Sequence, residues 1–368
     1  CRRMKQITID GIRYQQEAFI QENPPTFAGQ SPFHCQLASF LKEWFSPSPM
    51  LTLFTSGSTG EPKAITVRKE QMMQSAAITC DYLKLKAGET ALLCLPLEYI
   101  AGKMMVVRAI YGGLNLLVAE PSGHPLEGIS RQVDFAAMVS LQVYNSLQRE
   151  DDKKQLKHID KLLIGGGVID PNLEEALKDY PNAIYSTYGM TETVSHIALR
   201  RINGKDADNC YTPLPGVSVR LSEEQTLVIN APRVVDIPVI TNDIAEIMID
   251  GTFRILGRKD NVVNSGGIKI QIEAIEAVLR PHIGYPFAVT SVPDPKLGEA
   301  LVLLITPASD PATAHEICSQ HLPRLEQPKH IIVVKQIPLT RSGKTNRKAA
   351  KKMASEQSPM PGNFSRKG

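Results

Sequence analysis

The first half of the chain alternates between two apolar patterns. Leu37, Phe40, Leu41 and Trp44 recur at the three- and four-residue spacing that is typical of an amphipathic helix. Short continuous apolar runs of the strand type follow, and helical patterns separate them. Together these patterns predict strands over Leu51–Phe54, Ala91–Leu97, Leu114–Ala119, Lys161–Ile164 and Ala183–Tyr188, and helices over Arg68–Leu83, Lys103–Tyr111 and Pro171–Tyr180.

This alternation of strands and helices is typical of a layered α/β domain with largely parallel strands. Ligands bind such sheets at the carboxyl ends of the strands, where the loops gather. Two of the predicted strands lead directly into glycine-rich segments, which begin at Thr55 and at Gly165. We therefore expect functional residues on these two loops.

The pattern changes near residue 245. An Asp250-Gly251 pair between apolar segments indicates a β-hairpin, because Asp-Gly provides the positive φ angles of a two-residue turn. Beyond it the predicted elements are shorter, which suits a small α+β domain. The sequence predicts a large α/β domain over residues 1–257 and a small domain over residues 258–368, with a frayed tail after Thr345. The elements predicted in the small domain are a helix over Ile272–Leu279 and strands over Phe287–Val292, Leu301–Thr306 and His330–Val334.

Composition narrows the possible functions. The chain has 368 residues, of which 42% are apolar and 21% are charged, and this indicates a folded protein of two or three domains. A net charge of +3 without a basic block gives no sign of nucleic-acid or membrane-surface binding. The apolar runs are far shorter than the roughly 18 residues of a membrane-spanning helix, and no signal peptide is visible. The scattered cysteines favour reduced thiols and a cytoplasmic location.

The segment 55–63 carries the clearest candidate chemistry. Its hydroxyl side chains and backbone N–H groups suit an anion, and we expect them between a strand and the start of a helix. A flexible Gly/Ser loop is the alternative on composition alone. The spacing differs from the common nucleotide-binding loop that ends in Gly-Lys-Ser/Thr. The candidate phosphate-binding residues are Thr55, Ser56, Gly57, Ser58, Thr59, Gly60 and Lys63.

This loop resembles the phosphate loop of adenylate-forming enzymes, the superfamily of acyl-CoA synthetases and adenylation domains. Tyr185–Glu192 is similar to a second segment of that superfamily. The resemblance implies that Tyr188 and Gly189 line an adenine pocket, that Thr191 contacts the α-phosphate and that Glu192 binds Mg²⁺. A carboxylate just beyond a strand end is also a suitable oxygen ligand for Mg²⁺, although an exposed surface glutamate is the simpler alternative.

Four further segments follow the order of the same superfamily. Asn242-Asp243 resembles its ribose-binding segment, with asparagine in place of the usual glycine, and a turn-forming aspartate is the alternative. The resemblance implies that Arg258 contacts ribose or phosphate and that Asp260 is a hinge between a large domain and a small mobile one. It also implies that the loop with Gly266 and Gly267 closes over the channel for coenzyme A. In the last segment, Pro338–Lys344, the lysine would reach the α-phosphate and the carboxylate.

The implied activity is the ligation of a carboxylic acid to a thiol in two steps, with ATP and CoA as co-substrates and Mg²⁺ as the metal. The implied fold is the adenylate-forming fold, here with a shortened region before Thr55. Two alternatives remain open. One is an adenylation domain that loads a carrier protein, and the other is a non-catalytic nucleotide-binding module. The expected partners are small molecules, with no nucleic acid and no membrane insertion.

The segment 95–113 bears on the acid substrate. It is similar to that of the o-succinylbenzoate–CoA ligases of menaquinone biosynthesis, with Tyr99 where histidine is expected. The resemblance implies that Tyr99 and Arg108 contact the acid and that Gly165, Gly166 and Gly167 let the aryl group and adenylate lie against bare backbone. Another aryl- or acyl-CoA ligase is the alternative. For Arg108 the competing interpretation is a helix residue whose side chain extends to solvent.

Overall fold

A computed structural model describes residues 5–21, 25–54, 64–340 and 345–357. Within these ranges none of the helices is both long and apolar enough to cross a lipid bilayer. The α-helices of the described residues are α1 (Glu17–Ile20), α2 (Pro32–Phe45), α3 (Lys69–Tyr82), α4 (Ile100–Gly112), α5 (Ser140–Leu147), α6 (Glu150–Lys157), α7 (Pro171–Leu177), α8 (Ile272–Leu279), α9 (Pro311–His321) and α10 (Arg347–Gln357).

The strands complete the set of regular elements. They are β1 (Gln6–Ile9), β2 (Ile12–Gln15), β3 (Met50–Phe54), β4 (Ala64–Arg68), β5 (Thr90–Leu93), β6 (Asn115–Val118), β7 (Val133–Val139), β8 (Ile159–Gly165), β9 (Ala183–Gly189), β10 (His196–Arg201), β11 (Thr212–Pro213), β12 (Ser218–Leu221), β13 (Thr226–Asn230), β14 (Val239–Ile247), β15 (Phe253–Arg258), β16 (Val262–Ser265), β17 (Ile268–Gln271), β18 (Phe287–Asp294), β19 (Gly298–Ile305) and β20 (His330–Val333).

The chain divides into two compact units. The first contains residues 1–220, 228–240 and 247–254, and the second contains residues 221–227, 241–246 and 255–368. These units are defined by packing. The boundary that the sequence predicts between residues 257 and 258 concerns domains that move during function, and it stays a prediction. A four-stranded sheet has the order β12-β13-β14-β15, so the hairpin predicted around Asp250-Gly251 is present.

A nine-stranded sheet with the order β11-β10-β9-β8-β7-β5-β6-β1-β2 forms the first unit. Its strands β1, β6, β5, β7, β8 and β9 are parallel, and antiparallel strands lie at both edges. Parallel strands are buried on both faces, which requires continuous apolar sequence. The runs Ala91–Leu93 and Leu162–Ile164 meet this requirement and are buried. The prediction of a layered α/β domain is therefore confirmed.

Three helices begin with the same local signal. Ser31, Asp170 and Asp310 each accept a hydrogen bond from a backbone N–H of the first helical turn, and each is followed by proline. A side-chain acceptor at the N-cap satisfies a backbone donor that has no partner within the helix, and proline fits the first helical position. These signals position α2, α7 and α9. They explain why the starts of these helices can be recognised in the sequence.

The predicted strand–loop–helix arrangement around segment 55–63 is wrong. The strand β4 follows this segment and pairs antiparallel with β3, so that Phe54 lies opposite Ala64. The helix α3 begins only at Lys69, after β4. The β-branched residues Ile65, Thr66 and Val67 favour a strand, and this signal was missed. The described element that follows segment 55–63 is therefore a strand paired with the strand before it, and not a helix.

The second unit contains a sheet with the order β17-β16-β19-β18, and β20 pairs with β19. Side chains of β19 alternate between its two faces, as the two-residue period of a strand requires. Leu301 and Leu303 pack with α8 and α9 on one face. Val302 and Leu304 pack with α10 on the other. The helix predicted over Ile272–Leu279 has these bounds in the structure.

The expectation of a frayed tail is wrong for residues 347–357, which form α10. This helix carries Ala350 and Ala354 on one face, and both are fully buried against the sheet of the second unit. Small side chains four residues apart let a helix lie close to a sheet, while lysines occupy the remaining faces. The abundance of lysine concealed this narrow apolar stripe.

A buried ion pair fixes α10 to the rest of the second unit. Arg347 donates from Nη1 and Nη2 to the two carboxylate oxygens of Glu276, at 2.6 Å each. Glu276 on α8 is 6% exposed and also accepts from the backbone N–H of Val289, at 2.9 Å. Such a two-pronged pair satisfies charge and hydrogen bonding together. Glu276 therefore has a structural role and connects α8, β18 and α10.

Glu276→Ala is expected to destabilise the second unit by about 3 kcal/mol, because it leaves a partly buried guanidinium without its partner. Hydrogen exchange of the β18 and β19 amides measures this locally. Lys351→Ala is the matched control, since it removes the exposed pair of Lys351 with Glu299 and is expected to cost less than about 1 kcal/mol. Equal exchange rates in the two variants would contradict the structural role of Glu276.

Candidate active site

The carboxyl ends of β5, β7, β8 and β9 share one edge of the large sheet. From β5 the chain passes through α4 to β6 on one side, whereas β7 lies on the other side of β5. Such a change in strand order opens a crevice at the carboxyl ends of the strands, and ligands of open α/β sheets bind there. The predicted site residues Gly165 and Gly189 end β8 and β9 at this edge.

The glycines after β8 adopt conformations that side chains disfavour. Gly166 and Gly167 have φ angles of 95° and 152°, and both are exposed. A Cβ atom on Gly165 would lie 3.1 Å from Oγ1 of Thr187. A side chain at Gly165 would therefore press on Thr187, and the positive φ angles of Gly166 and Gly167 disfavour side chains at the next two positions. Bare backbone here leaves N–H and C=O groups open to a ligand.

A tight reversal of the chain connects β9 to β10. A Cβ atom on Gly189 would lie 2.4 Å from Cα of His196 and from the carbonyl oxygen of Ser195, so only glycine fits. The reversal contains the short 3₁₀ turn Thr191–Thr193 and then Val194, whose φ is 65°. A β-branched residue rarely adopts positive φ, and strain of this kind is concentrated at functional sites. The reversal presents Thr191 half-buried and Glu192 exposed.

Glu192 presents an exposed carboxylate on the reversal that follows β9. Its carboxylate makes no hydrogen bond or ion pair with any described residue. In the described ranges no group of three or more His, Cys, Asp or Glu side chains could hold a metal. Mg²⁺ that bridges phosphates needs only one or two protein carboxylates. The exposed carboxylate therefore fits Mg²⁺ bound together with a nucleotide.

Tyr188 belongs to an aromatic cluster beside the reversal. Its ring meets Phe253 edge-on at 5.3 Å between centroids and lies 5.8 Å from Tyr211. The hydroxyl of Tyr211 is 2.8 Å from Oγ of Ser186, which holds the cluster against β9. Tyr188 remains half-buried. An aromatic ring held in this way can provide a flat wall for a base.

Arg108 is buried within α4 and is 2% exposed. Its Nη2 donates to Oγ of Ser195 at 2.7 Å, and Nη1 lies 3.9 Å from Sδ of Met105. Nε has no partner, and no described carboxylate forms an ion pair with this cation. Burial lowers the pKa of Arg108 to about 10, so the group remains a cation at neutral pH. The interpretation of a side chain that extends to solvent is wrong.

Tyr99 is the N-cap residue of α4 and is half-buried. It precedes Arg108 by nine residues, or about 14 Å along the helix axis. The two side chains make no contact with each other in the described structure. A cavity of about 640 Å³ lies nearby, and its lining includes Lys103 and Glu98. Burial lowers the pKa of Lys103, and Glu43 and Glu98 act against this shift, so Lys103 already has acidic neighbours.

In the second unit the structure brings three predicted residues together. Nη1 of Arg258 lies 3.3 Å from Oδ1 of Asp243, and Nη2 donates to Oδ2 of Asp260 at 3.0 Å. Asp243 is 8% exposed, whereas Asp260 is exposed. A Cβ atom on Gly257 would collide with the side chain of Gln271, which donates to the carbonyl oxygen of Arg258 at 2.9 Å. The segment 257–260 is thus held by side chains on both sides.

Gly266 and Gly267 form the turn between β16 and β17. Their φ angles of 60° and 84° suit the hairpin turn in which both central residues are left-handed. The backbone N–H of Gly266 also donates to the carbonyl oxygen of Leu297 at 2.8 Å.

The remaining predicted residues lie outside the described ones, and they are Thr55, Ser56, Gly57, Ser58, Thr59, Gly60, Lys63 and Lys344.

Sequence reasoning missed three residues around Arg108. They are Thr79 on α3, Ser195 just before β10, and His196, the first residue of β10. Oγ1 of Thr79 lies 3.0 Å from Nε2 of His196, whose Nδ1 lies 3.5 Å from Nη2 of Arg108. Burial and the Arg108 cation lower the pKa of His196 well below its usual value, so this ring is neutral. The only available signal was the polar Ser-His pair three residues after Glu192.

Comparison with known proteins identifies two matching families. The family described as AMP-binding enzyme matches residues 5–251, and the AMP-binding enzyme C-terminal domain matches residues 274–344. A 2-succinylbenzoate–CoA ligase of Listeria monocytogenes is 25% identical over 339 residues, which are 85% of this chain and 72% of that protein. The enzyme of the same name from Bacillus mycoides is 26% identical over 352 residues, with 86% and 73% covered.

Solved structures agree with these matches. An acyl-CoA synthetase (AMP-forming)/AMP-acid ligase II-like protein from Dyadobacter fermentans is 37% identical, with a TM-score of 0.61, and the match covers 89% of this chain and 95% of that one. The o-succinylbenzoate coenzyme A synthetase MenE of Bacillus subtilis, solved with ATP and magnesium, is 21% identical with a TM-score of 0.68, over 81% and 68%. The predicted adenylate-forming fold, with a large α/β domain and a small C-terminal domain, is confirmed.

Gly189→Ala is expected to destabilise the first unit by about 2 kcal/mol or more, because the new methyl group would overlap backbone atoms of β10. Urea unfolding followed by the fluorescence of Trp44, the single tryptophan, measures this. Gly29→Ala is the matched control, since a Cβ atom there meets nothing within 4 Å. The close approach of β9 and β10 would be refuted if both variants unfolded at the same urea concentration.

Proposed function

Because the chain belongs to the AMP-binding enzyme family, we propose that it is an acid–CoA ligase that activates 2-succinylbenzoate for menaquinone biosynthesis. The observation that carries this proposal is the buried cation of Arg108, which has no carboxylate partner among the described residues. The names of the Listeria and Bacillus relatives support the same substrate. 2-Succinylbenzoate has two carboxylates, so one can be activated while Arg108 binds the other.

The proposed reaction has two steps. In the first, an oxygen of the acid attacks the α-phosphorus of ATP, which forms an acyl-AMP and releases pyrophosphate. In the second, the thiol sulfur of coenzyme A attacks the acyl carbon, which forms the thioester and releases AMP. Negative charge develops on phosphate oxygens in the first step, so the protein contributes mainly by positioning the reactants and stabilising charge.

Arg108 provides the basis for acid recognition. Moving an ion out of water costs several kcal/mol, and neutral acceptors offset only part of this cost. Ser195 and His196 provide such neutral acceptors on one side of the guanidinium. A carboxylate from the substrate would complete the neutralisation, directly or through a water molecule. The planar fork of arginine suits a carboxylate better than an ammonium group does.

The nucleotide has a proposed place for each of its parts. We assign the adenine to the wall formed by Tyr188 and Gly189, the α-phosphate to Thr191, and the flat aryl-adenylate to the bare backbone of Gly165–Gly167. Asp243 would bind the ribose and Arg258 the ribose or a phosphate, and their mutual contact keeps both side chains oriented. Mg²⁺, when bound, supplies positive charge to the phosphates beside Glu192.

The remaining roles rest on the sequence resemblance. We assign phosphate binding to the loop with Thr55–Gly60 and Lys63, and the stabilisation of charge in the first step to Lys344. Asp260 is the proposed hinge, and Gly266 and Gly267 form the proposed edge of the coenzyme A channel. Backbone rotation during domain closure concentrates in a few residues at the ends of elements, and Asp260 lies in such a place, in the 3₁₀ turn Lys259–Asn261.

Arg108→Ala is expected to raise KM for 2-succinylbenzoate by one to two orders of magnitude, which corresponds to the loss of about 2–3 kcal/mol from a charge-assisted pair. KM for ATP should barely change, because Arg108 is assigned to the acid alone. Pyrophosphate release with varied acid and ATP concentrations measures both constants.

Arg149→Ala is the control for this experiment, because it removes an exposed arginine that pairs with Glu127. A panel of acids, tested with coenzyme A or with a carrier protein as acceptor, identifies the competing functions. If benzoate or a medium-chain acid reacts better than 2-succinylbenzoate and Arg108→Ala has no effect, a general aryl- or acyl-CoA ligase replaces the proposal. Product formation only with the carrier would identify a carrier-loading adenylation domain.

Lys344→Ala is expected to abolish acyl-AMP formation while thioester formation from supplied acyl-AMP continues. The reason is that the ammonium group is needed where negative charge develops at the α-phosphate, which happens only in the first step. The two half-reactions are measured separately. Lys348→Ala, a lysine four residues further along, controls for the loss of one positive charge in this region. An equal loss of both half-reactions would show a general defect of binding or folding.

A further inference from the structure

Four polar side chains form a connected group around the buried cation. Thr79 lies on α3, Arg108 on α4, and Ser195 and His196 stand at the start of β10. Oγ1 of Thr79 donates to the carbonyl oxygen of Ser75 at 3.1 Å and lies 3.0 Å from Nε2 of His196. The residue Thr79 is fully buried, so water does not compete for these bonds.

The direction of the Thr79 hydroxyl proton sets the tautomer of His196. When Thr79 gives its one proton to the carbonyl oxygen of Ser75, the same hydroxyl oxygen accepts from His196. In this arrangement Nε2 of His196 carries the ring proton. In a neutral imidazole the other nitrogen, Nδ1, is then an acceptor.

This tautomer suits the cation. Nδ1 of His196 presents its lone pair to Nη2 of Arg108 at 3.5 Å, next to the shorter bond from Nη2 to Ser195. The opposite tautomer would direct an N–H group at a positively charged guanidinium. Two neutral acceptors thus hold one side of the guanidinium, and Nε, on which no described residue makes a hydrogen bond, is left for a ligand.

We propose that Thr79 and His196 are positioning residues that hold Arg108 in the orientation that accepts the second carboxylate of the acid substrate. The proposal deepens the proposed function and rests on it, because Arg108 must receive a carboxylate. Neither residue touches the acid. Their effect on acid binding passes through the guanidinium alone, and it depends on the direction of one hydrogen bond from α3 to β10.

Nitrogen NMR of protein labelled in its histidine rings tests the tautomer without any substrate. A proton-bearing ring nitrogen and a bare one resonate far apart, and loss of the signal in His196→Gln assigns the resonance. We expect the Nε2–H form in the unmodified protein and the loss of this single form in Thr79→Val. An Nδ1–H form in the unmodified protein would overturn the proposal.

Enzyme kinetics test whether Thr79 and His196 act through Arg108. Thr79→Val and His196→Phe are expected to raise KM for 2-succinylbenzoate about tenfold, with kcat and KM for ATP unchanged, because each costs Arg108 the hydrogen bond to Nδ1 of His196, directly or through the tautomer of the ring. Thr79→Ser and His196→Gln should stay within about twofold, since a serine hydroxyl and a glutamine amide can repeat the same donor and acceptor pattern. A failure of these conservative variants to retain the low KM would overturn the proposal.

A double-mutant cycle separates positioning from a merely structural effect. In the Arg108→Ala background Thr79→Val is expected to change KM for the acid no further, because the group on which it acts is absent. Thr290→Val, which removes a buried hydroxyl in the second unit, is the matched control and should leave KM unchanged. An independent tenfold effect of Thr79→Val without Arg108 would overturn the proposal.

The two proposals can fail separately. If Arg108→Ala raises KM for 2-succinylbenzoate but the Thr79 and His196 variants do not, the substrate assignment stands and the positioning role is wrong. If 2-succinylbenzoate does not react at all, the proposed function fails. The tautomer measured by NMR then still establishes or refutes the hydrogen-bond relay from α3 to Arg108.

Discussion

The hydrogen bonding of the parallel strands is the constraint on which the first unit depends. The runs Ala91–Leu93 of β5 and Leu162–Ile164 of β8 are buried on both faces, so their backbone groups can be satisfied only by neighbouring strands. Each connection between parallel neighbours must therefore return to the starting edge of the sheet. The carboxyl ends form one of the two edges at which loops with unusual backbone can lie without disrupting the core, and Gly113, before β6, takes a φ of 63° at the other edge. The glycines at 165–167 and 189 lie at the carboxyl edge, where ligands of such sheets bind.

The same constraint explains why a strained reversal follows β9. The adjacent β10 runs antiparallel, and its first residues must pack against Gly189 at a distance that excludes a side chain. Val194 takes a φ of 65° so that Ser195 and His196 can turn toward α4. The free energy that this strain costs is offset where the two residues give the buried Arg108 its neutral acceptors. The strained backbone at Val194 thus places the two acceptors that the buried Arg108 on α4 needs.

Local signals allowed much of the fold to be predicted, and the errors have physical causes. Ile272–Leu279 was predicted with its observed bounds because apolar spacing alone specifies it, and proline marks the start of the helix at Pro171. The strand β4 was missed because its short β-branched signal lies between a glycine-rich segment and a helix, and α10 because its apolar stripe consists only of alanines. In the candidate site, short linear motifs identified residues that are neighbours in sequence. The contact between Thr79 and His196 joins residues 117 positions apart, and no motif contains both.

Under the proposed function, the nucleotide and the acid are recognised by two different kinds of residues. The residues assigned to the nucleotide lie in short segments of the sequence, so a chain can retain them while the rest of the sequence diverges. Thr79 and Arg108 are buried and Ser195 and His196 are half-buried where α3, α4 and β10 pack together, and a change at one of these positions alters the hydrogen bonds of the next. A change of acid substrate would therefore require coordinated substitutions on three elements, whereas adenylation would be unaffected. Under the proposed function, the activity is encoded in loops and the choice of acid in the core.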